Sequence, residues 1–309
     1  MKNTGKRQSN FIGELLGEMT EVKTSGLAFS FAALLPYVLS VIFAIVGAIF
    51  GLFYEGCEKD DWYLYVSYLL SQVSFALTAV AFFTLSKTSV KTVIGKPKAM
   101  DFVLAIVLQF GMLSLANVNS WFLEFLKTLG LSAPVPKIPS LDGFGFVGVL
   151  FVVALLPAIF EETLFRGILL KGLKGFPVWA AAMICGALFS IFHQNPAQTI
   201  YQFLCGTAFA LIVLRSGSIL PTVVAHFLNN ALIICAEKYA WRLDTLPIMI
   251  DSAVCLVWAL AYLIVGLVGM NKNSEQKTVE KSDKKHFFLT ASVGILLCVI
   301  NWVAKLLGA

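Results

Sequence analysis

Long apolar segments recur along the whole chain and are separated by short polar loops. About 20 consecutive apolar residues cross the hydrocarbon core of a bilayer as an α-helix. Segments suited to this length lie at 27–53, 63–86, 101–119, 145–171, 177–194, 198–214, 218–236, 247–270 and 287–308. The short alternating strands of a transmembrane barrel do not occur in this pattern. The sequence therefore predicts an all-α fold, a polytopic transmembrane helical bundle of nine spans, or of eight if one segment lies at the membrane interface.

Composition agrees with a membrane protein. Of the 309 residues, 58% are hydrophobic and 13% are charged, whereas a soluble domain carries about 25% charged residues. The mean hydropathy is +0.83. We therefore expect the lipid bilayer as a partner and no nucleic acid.

The distribution of charge predicts the orientation of the chain. The N-terminal residues 1–10 are basic, and further basic residues are concentrated in alternate loops, at 87–100, at 171–174, at Arg215 and at 271–286, whereas the loop at 54–62 after the first span is acidic. Loops on the cytoplasmic side of a membrane carry an excess of Lys and Arg. We expect a multi-pass protein of the cell membrane whose N-terminus is cytoplasmic.

Composition also divides the chain into segments. The Pro- and Gly-rich loop at 127–143 separates the leading spans from a region whose polar residues lie inside the apolar segments. The pattern over 11–22 is that of an amphipathic surface helix, although a polar helix packed on the protein fits it equally well. The predicted segments are a cytoplasmic N-terminal segment at 1–26, leading helices at 27–126, the polar-rich core at 145–240, and C-terminal helices at 247–309 with a charged linker at 271–286.

The fourth span contains three charged residues within the sequence "EETLFR". Glu162 and Arg166 are four residues apart in the orientation that favours an ion pair on a helix. Glu161 has Phe165 at its own i+4 position and therefore no local cation. An unpaired carboxylate inside a membrane indicates a functional site by default, and Pro157 removes a helix hydrogen bond beside it. The alternative is a cluster of charges at the membrane surface.

Two of the chain's three histidines lie in neighbouring apolar segments. A single buried histidine is usually a core residue, but His193 and His226 accompany an unpaired glutamate. His226 and Asn230 are four residues apart and share a helix face, whereas Asn229 is turned away from it. Short connections between these spans favour adjacent packing. We therefore expect Glu161, His193, His226 and Asn230 to converge around one cavity.

A carboxylate, two imidazoles and an amide around a wet cavity are suited to hydrolysis. The carboxylate takes a proton from water, while the imidazoles orient that water and stabilise an oxyanion. Two alternatives remain. One is a non-catalytic membrane scaffold or an immunity or partner-binding protein. The other is a transporter or proton relay, although the paired repeats and broken helices of transporters are not evident.

Three short motifs resemble those of a known family. The sequence "EETLFR" at 161–166 resembles the E-E-x-x-x-R motif of the CPBP intramembrane proteases, which include the CAAX proteases and bacteriocin-processing enzymes and are also called the Abi family. "FSIFH" at 189–193 resembles the F-x-x-x-H motif of that family, and "HFLNN" at 226–230 resembles its H-x-x-x-N motif. The motifs occur in the order of the family, and the resemblance covers about 145–240.

The resemblance implies an intramembrane endopeptidase that cleaves a peptide bond of a membrane-associated substrate near the cytoplasmic side. It implies that Glu161 is the general base that activates water, that His193 helps to hold the water, and that Glu162 and Arg166 support the site. His226 and Asn230 would stabilise the oxyanion or act as further ligands. Prenylated CAAX peptides, bacteriocins and other peptides all remain open as substrates.

A metal is the remaining question. The family is described both as metalloproteases and as glutamate-dependent proteases. Glu161, His193 and His226 could hold Zn²⁺ with an open coordination position. The base role would then fall to Glu162, which already pairs with Arg166, so we favour hydrolysis without a metal.

Overall fold

The computed structural model describes residues 21–86, 88–131, 136–273 and 281–308. Helices account for most of this described part of the chain, and no strand occurs within it. The ten helices longer than one or two turns are α1 (Glu21–Ile49), α2 (Asp61–Ser86), α3 (Ala99–Met112), α4 (Ala116–Thr128), α5 (Phe144–Gly172), α6 (Val178–Phe192), α7 (Thr199–Ser216), α8 (Leu220–Tyr239), α9 (Leu246–Asn273) and α10 (Lys281–Leu306).

The predicted fold class is confirmed. Within the described residues, eight helical segments are long and apolar enough to cross a membrane, with α3 and α4 counted together as Ala99–Thr128. The ninth predicted span, 177–194, corresponds to α6, which has only 15 residues. At 1.5 Å per residue, α6 is about 22 Å long, which is shorter than a hydrocarbon core of about 30 Å. A helix of this length that begins at the membrane surface ends within the hydrocarbon core.

Several helices differ from the predicted spans at their ends. Helix α1 begins at Glu21, so the last residues of the predicted segment 1–26 are helical, and residues 1–20 lie outside the described chain together with most of the predicted helix at 11–22. The third span continues beyond 119, through a 3₁₀ turn at Leu113–Leu115, to Thr128. The predicted linker at 271–286 is shorter than expected because α9 and α10 extend into it.

The first and last helices pack closely along each other. The Ser30 hydroxyl donates to the carbonyl oxygen of Thr290 at 2.7 Å and accepts from the amide of Gly294 at 3.1 Å. A Cβ atom on Gly294 would lie 2.7 Å from Ser30 Cα, so only glycine permits this approach. Small residues and interhelical hydrogen bonds are what hold transmembrane helices together. Helix α1 also contacts α5 through Ser25, whose hydroxyl donates to Ile168 O at 3.0 Å.

Helix α5, which carries the two glutamates, is not a regular α-helix. Its backbone is π-helical at Leu150–Leu155 and again at Thr163–Leu169. The first π-helical segment ends two residues before Pro157, which cannot donate a backbone hydrogen bond. Such π-helical turns are rare and frequently occur at functional sites. The two irregular segments enclose the stretch that presents Glu161 and Glu162.

Candidate active site

Glu162 and Arg166 form the ion pair that their spacing predicts. Arg166 Nη1 lies 2.8 Å from Glu162 Oε1, and neither side chain is exposed. The guanidinium carbon lies 4.2 Å from the centre of the Phe189 ring, and Nη2 donates to the carbonyl of Gly206 at 3.4 Å. The cation is thus held by a carboxylate, a carbonyl and an aromatic face, which compensates for its removal from water.

The same glutamate oxygen also contacts a histidine of α8. His226 Nδ1 lies 3.0 Å from Glu162 Oε1, and the His226 side chain is almost completely buried. Because a carboxylate only accepts, Nδ1 is the donor in this hydrogen bond. Glu162 therefore fixes both the tautomer and the orientation of the ring. The sequence gives no sign of this contact, because it joins two helices that are 64 residues apart.

Glu161 lies on the other side of the same imidazole. Its Oε2 is 3.9 Å from His226 Nε2, and its side chain is 14% exposed, unlike that of its neighbour. This distance exceeds that of a hydrogen bond. One water oxygen could lie about 2.8 Å, the length of a hydrogen bond, from both of these atoms. The carboxylate and the imidazole nitrogen are therefore spaced to share one water molecule.

His193 follows the last residue of α6. Its Nδ1 lies 2.8 Å from the carbonyl oxygen of Phe189, which can only accept, so Nδ1 donates and Nε2 is left as an acceptor. The Phe189 ring packs edge-on against both histidine rings, with centroids 4.7 Å from His193 and 6.1 Å from His226. Glu161 lies close enough to His193 to interact with it electrostatically. One phenylalanine thus supports both imidazoles as well as Arg166.

The residue after His193 has an unusual backbone conformation. Gln194 has a φ of 48°, and Ala240 is the other non-glycine residue with positive φ in the described chain. The Gln194 side chain accepts from the Tyr37 hydroxyl of α1 at 2.5 Å and donates to the sulfur of Cys298 in α10 at 3.7 Å. Non-glycine residues in this region cost free energy and persist only where surrounding structure holds them. The first and last helices therefore hold the turn that begins at His193.

Asn230 lies one turn beyond His226 on α8 and bonds to α5. Its Nδ2 donates to the carbonyl oxygen of Val153 at 3.2 Å. Val153 is four residues before Pro157, so its carbonyl is the one that an α-helical amide at Pro157 would have bonded. The Oδ1 of Asn230 accepts from Nδ2 of Asn229 at 3.1 Å. The contacts of Asn230 are thus to the backbone beside the glutamates, and its catalytic role stays a prediction.

Asn229 is turned away from His226, as its position in the sequence indicates, but it joins a second polar group. Its Oδ1 accepts from Gln109 Nε2 at 2.6 Å and from the Tyr201 hydroxyl at 3.3 Å. Gln109 Nε2 also lies 3.1 Å from the Tyr201 oxygen. Sequence reasoning missed both partners, and the available signal was the presence of polar groups within the apolar segments 101–119 and 198–214.

The donor atoms around the two imidazoles determine whether a metal ion could be held there. Both imidazoles carry their proton on Nδ1 and leave Nε2 free, which is the arrangement of zinc-ligating histidines. Within the described residues, however, no three side chains of His, Cys, Asp or Glu are grouped closely enough to hold a metal ion. The six cysteines are all free thiols, and four of them are buried. The residues as placed therefore do not form a three-ligand zinc site.

One segment of the chain matches a known family. Residues 143–232 match the family model described as Type II CAAX prenyl endopeptidase Rce1-like. No curated protein and no solved structure matches the chain. The matched segment, which runs from the start of α5 into α8, contains Glu161, Glu162, Arg166, His193, His226 and Asn230. The resemblance drawn from the three motifs is therefore confirmed for this segment, which is similar to the CAAX proteases of the CPBP family.

Proposed function

We propose that this protein is an intramembrane endopeptidase that hydrolyses a peptide bond with a water molecule activated by Glu161. The observation that carries the proposal is the position of the Glu161 carboxylate, 3.9 Å from His226 Nε2, beside an imidazole that Glu162 orients. The match of residues 143–232 to a family of CAAX prenyl endopeptidases supports the same reaction class. A general base must lie within reach of the water that it deprotonates, either directly or with small adjustments.

In the proposed reaction, the water donates one hydrogen to Glu161 and the other to Nε2 of His226, the two acceptors that lie 3.9 Å apart. Its oxygen attacks the scissile carbonyl carbon, and the proton passes to Glu161. The tetrahedral oxyanion accepts a hydrogen bond from the remaining N–H of Asn230. Glu161 then returns the proton to the leaving nitrogen as the C–N bond breaks. The products are an amine and a carboxylic acid, which ionises to a carboxylate, and no further reactant is required.

The proposed substrate is a membrane-associated peptide, and the description of the matching family favours a prenylated peptide that ends in a Cys-a-a-X sequence. We propose that the protein lies in the cell membrane with a cytoplasmic N-terminus, because the basic loops alternate with acidic or neutral ones. The active site would then be reached from the side on which prenylated C-termini are presented. Bacteriocin precursors remain the alternative substrate class.

The test uses the purified full chain in lipid nanodiscs and an internally quenched, farnesylated Cys-a-a-X peptide, with an unprenylated peptide as a comparison. Glu161→Gln keeps the size of the side chain and removes the base, so we expect kcat to fall about 10²–10⁴-fold in a folded protein. The matched control is Glu124→Gln, the same substitution at an exposed position of α4. Retained activity in Glu161→Gln, or no cleavage of either peptide or of a bacteriocin precursor by the unaltered protein, would refute the proposal.

A further inference from the structure

A chain of polar side chains crosses the bundle beside the candidate active site. It joins Gln109 of α3, Tyr201 of α7 and Asn229 of α8 through contacts of 2.6, 3.1 and 3.3 Å between their polar atoms. Gln109 is only 5% exposed. Burying polar groups costs free energy unless they are hydrogen-bonded, and polar groups within apolar membrane helices indicate a function. The proposed mechanism assigns no role to any of the three.

The chain of hydrogen bonds ends on a proposed catalytic residue. The oxygen of Asn229 accepts from Gln109 and Tyr201, so its amide nitrogen is directed elsewhere, and Nδ2 donates to Asn230 Oδ1 at 3.1 Å. With its oxygen occupied, Asn230 directs Nδ2 towards α5, where one hydrogen goes to Val153 O at 3.2 Å. An amide nitrogen carries two hydrogens. One N–H of Asn230 therefore remains for another acceptor.

The orientation of this amide decides whether Asn230 can donate a hydrogen bond to an oxyanion. In the observed orientation it presents an N–H donor, which stabilises a developing oxyanion. In the flipped orientation it would present a carbonyl oxygen, which repels an oxyanion. Two contacts distinguish the ends of the Asn230 amide: the carbonyl of Val153, which accepts from Nδ2, and the amide nitrogen of Asn229, which donates to Oδ1.

We propose that Gln109 and Tyr201 are positioning residues, which orient the amide of Asn229 and thereby hold the N–H donor of Asn230 towards the oxyanion. This inference rests on the proposed peptidase function. Gln109 belongs to α3 and lies outside the segment that matches the family. The leading helices thus contribute to the site through a hydrogen-bonded relay rather than by contact with the substrate.

The kinetic test measures kcat and KM on the farnesylated, quenched peptide for Gln109→Leu and Tyr201→Phe, each alone and combined with Asn230→Ala. Removal of one oxyanion donor costs about 10²–10³-fold in kcat, and we expect each single variant to lose at least about tenfold with little change in KM. In the Asn230→Ala background, the same substitutions should cost less than about twofold, because they act through Asn230.

The matched control is Asn119→Ala. Asn119 also bonds to this region, through Ala197 O at 2.8 Å and the Tyr201 amide at 3.4 Å, but it does not contact Asn229. Its effect on kcat should be small and equal in both backgrounds. The proposal is overturned if Gln109→Leu and Tyr201→Phe reduce kcat equally with and without Asn230, if they change only KM, or if they leave kcat unchanged. If Gln109→Leu does not fold, Tyr201→Phe, which removes a single oxygen, decides the question.

A second measurement does not depend on any substrate. The side-chain amide signals of ¹⁵N-labelled asparagine are recorded by NMR, and Asn230 is assigned by its loss in Asn230→Ala. Its signals should shift or broaden in Tyr201→Phe but not in Asn119→Ala. An unchanged Asn230 signal refutes the relay whatever the activity. A shifted signal in a protein that cleaves none of the peptides refutes the peptidase function and retains the relay.

Discussion

Replacement of Arg166 by alanine should unfold the protein more readily than any other single substitution in the candidate site. The change leaves the Glu162 carboxylate completely buried without its cation, although the imidazole of His226 still lies 3.0 Å away. It also leaves a void between the rings of Phe189 and Phe209, whose centroids lie 4.2 and 5.5 Å from the guanidinium carbon. The substitution therefore removes a charge partner and packing together.

The expected loss follows from the burial of the pair. Removing one partner of a buried ion pair costs about 3–5 kcal/mol, because the other charge is left without compensation. Since each 1.4 kcal/mol corresponds to a factor of ten, the unfolding equilibrium constant should rise roughly 10²–10⁴-fold. Glu161→Ala should cost only about 1 kcal/mol, the centre of the range for single substitutions, because Glu161 is partly exposed and its nearest ionic partner is 3.9 Å away.

The assay is a titration of the purified protein with SDS in mixed micelles, with helical content followed by circular dichroism. Arg215→Ala is the matched control, since Arg215 pairs with Asp101 at 3.0 Å but is 17% exposed, so its loss should be smaller. A double variant, Glu162→Leu with Arg166→Leu, removes both charges and should recover most of the stability while remaining inactive. Equal stability of Arg166→Ala and Glu161→Ala would refute this division between a structural and a chemical glutamate.

Two further outcomes are expected. Exhaustive chelation should leave peptidase activity unchanged, because the side chains near the two imidazoles do not form a three-ligand group in the described chain. This expectation would be overturned if chelation abolished activity, added Zn²⁺ restored it, and the active protein contained about one zinc per chain. Gln194→Gly should keep or slightly raise the free energy of unfolding, since glycine adopts a φ of 48° without strain. It should lower kcat, because the turn after His193 loses its bonds to Tyr37 and Cys298. A kcat equal to that of the unaltered protein would show that these bonds do not position His193.

Features set within one helix could be predicted from the sequence. The apolar segments identify the helices because a span must satisfy its own backbone and expose apolar side chains to lipid. The Glu162–Arg166 pair follows from a spacing of four residues, which brings two side chains together on any α-helix. The motif spacing of Phe189 and His193 has the same origin, since the backbone carbonyl of one lies beside the imidazole of the other at 2.8 Å.

Contacts between helices could not be predicted in this way. Whether Glu162 or Glu161 meets His226 Nδ1 depends on the rotation of α5 about its axis, and two π-helical segments alter that rotation. The partners of Asn229 come from α3 and α7, and nothing in the spacing of Gln109 and Tyr201 specifies that they meet. The predicted span 177–194 is longer than α6 because the apolar composition continues to His193. The helix itself ends at Phe192, in a turn that other helices stabilise.

The pair of adjacent glutamates, which is unexpected in so apolar a segment, has a geometric explanation. Consecutive side chains on a helix diverge by about 100°, so two neighbouring carboxylates can approach one imidazole from different sides. Glu162 reaches Nδ1 of His226 at 3.0 Å, and Glu161 faces Nε2 at 3.9 Å. Only the first is also paired with Arg166, so its charge is compensated and its position is fixed. The second keeps an oxygen that is not committed to a cation, which a general base requires. If the two roles were exchanged, the carboxylate paired with arginine would lie at the water and the reactive carboxylate would be buried. The order of the two glutamates relative to Arg166 therefore determines which of them can act as the general base.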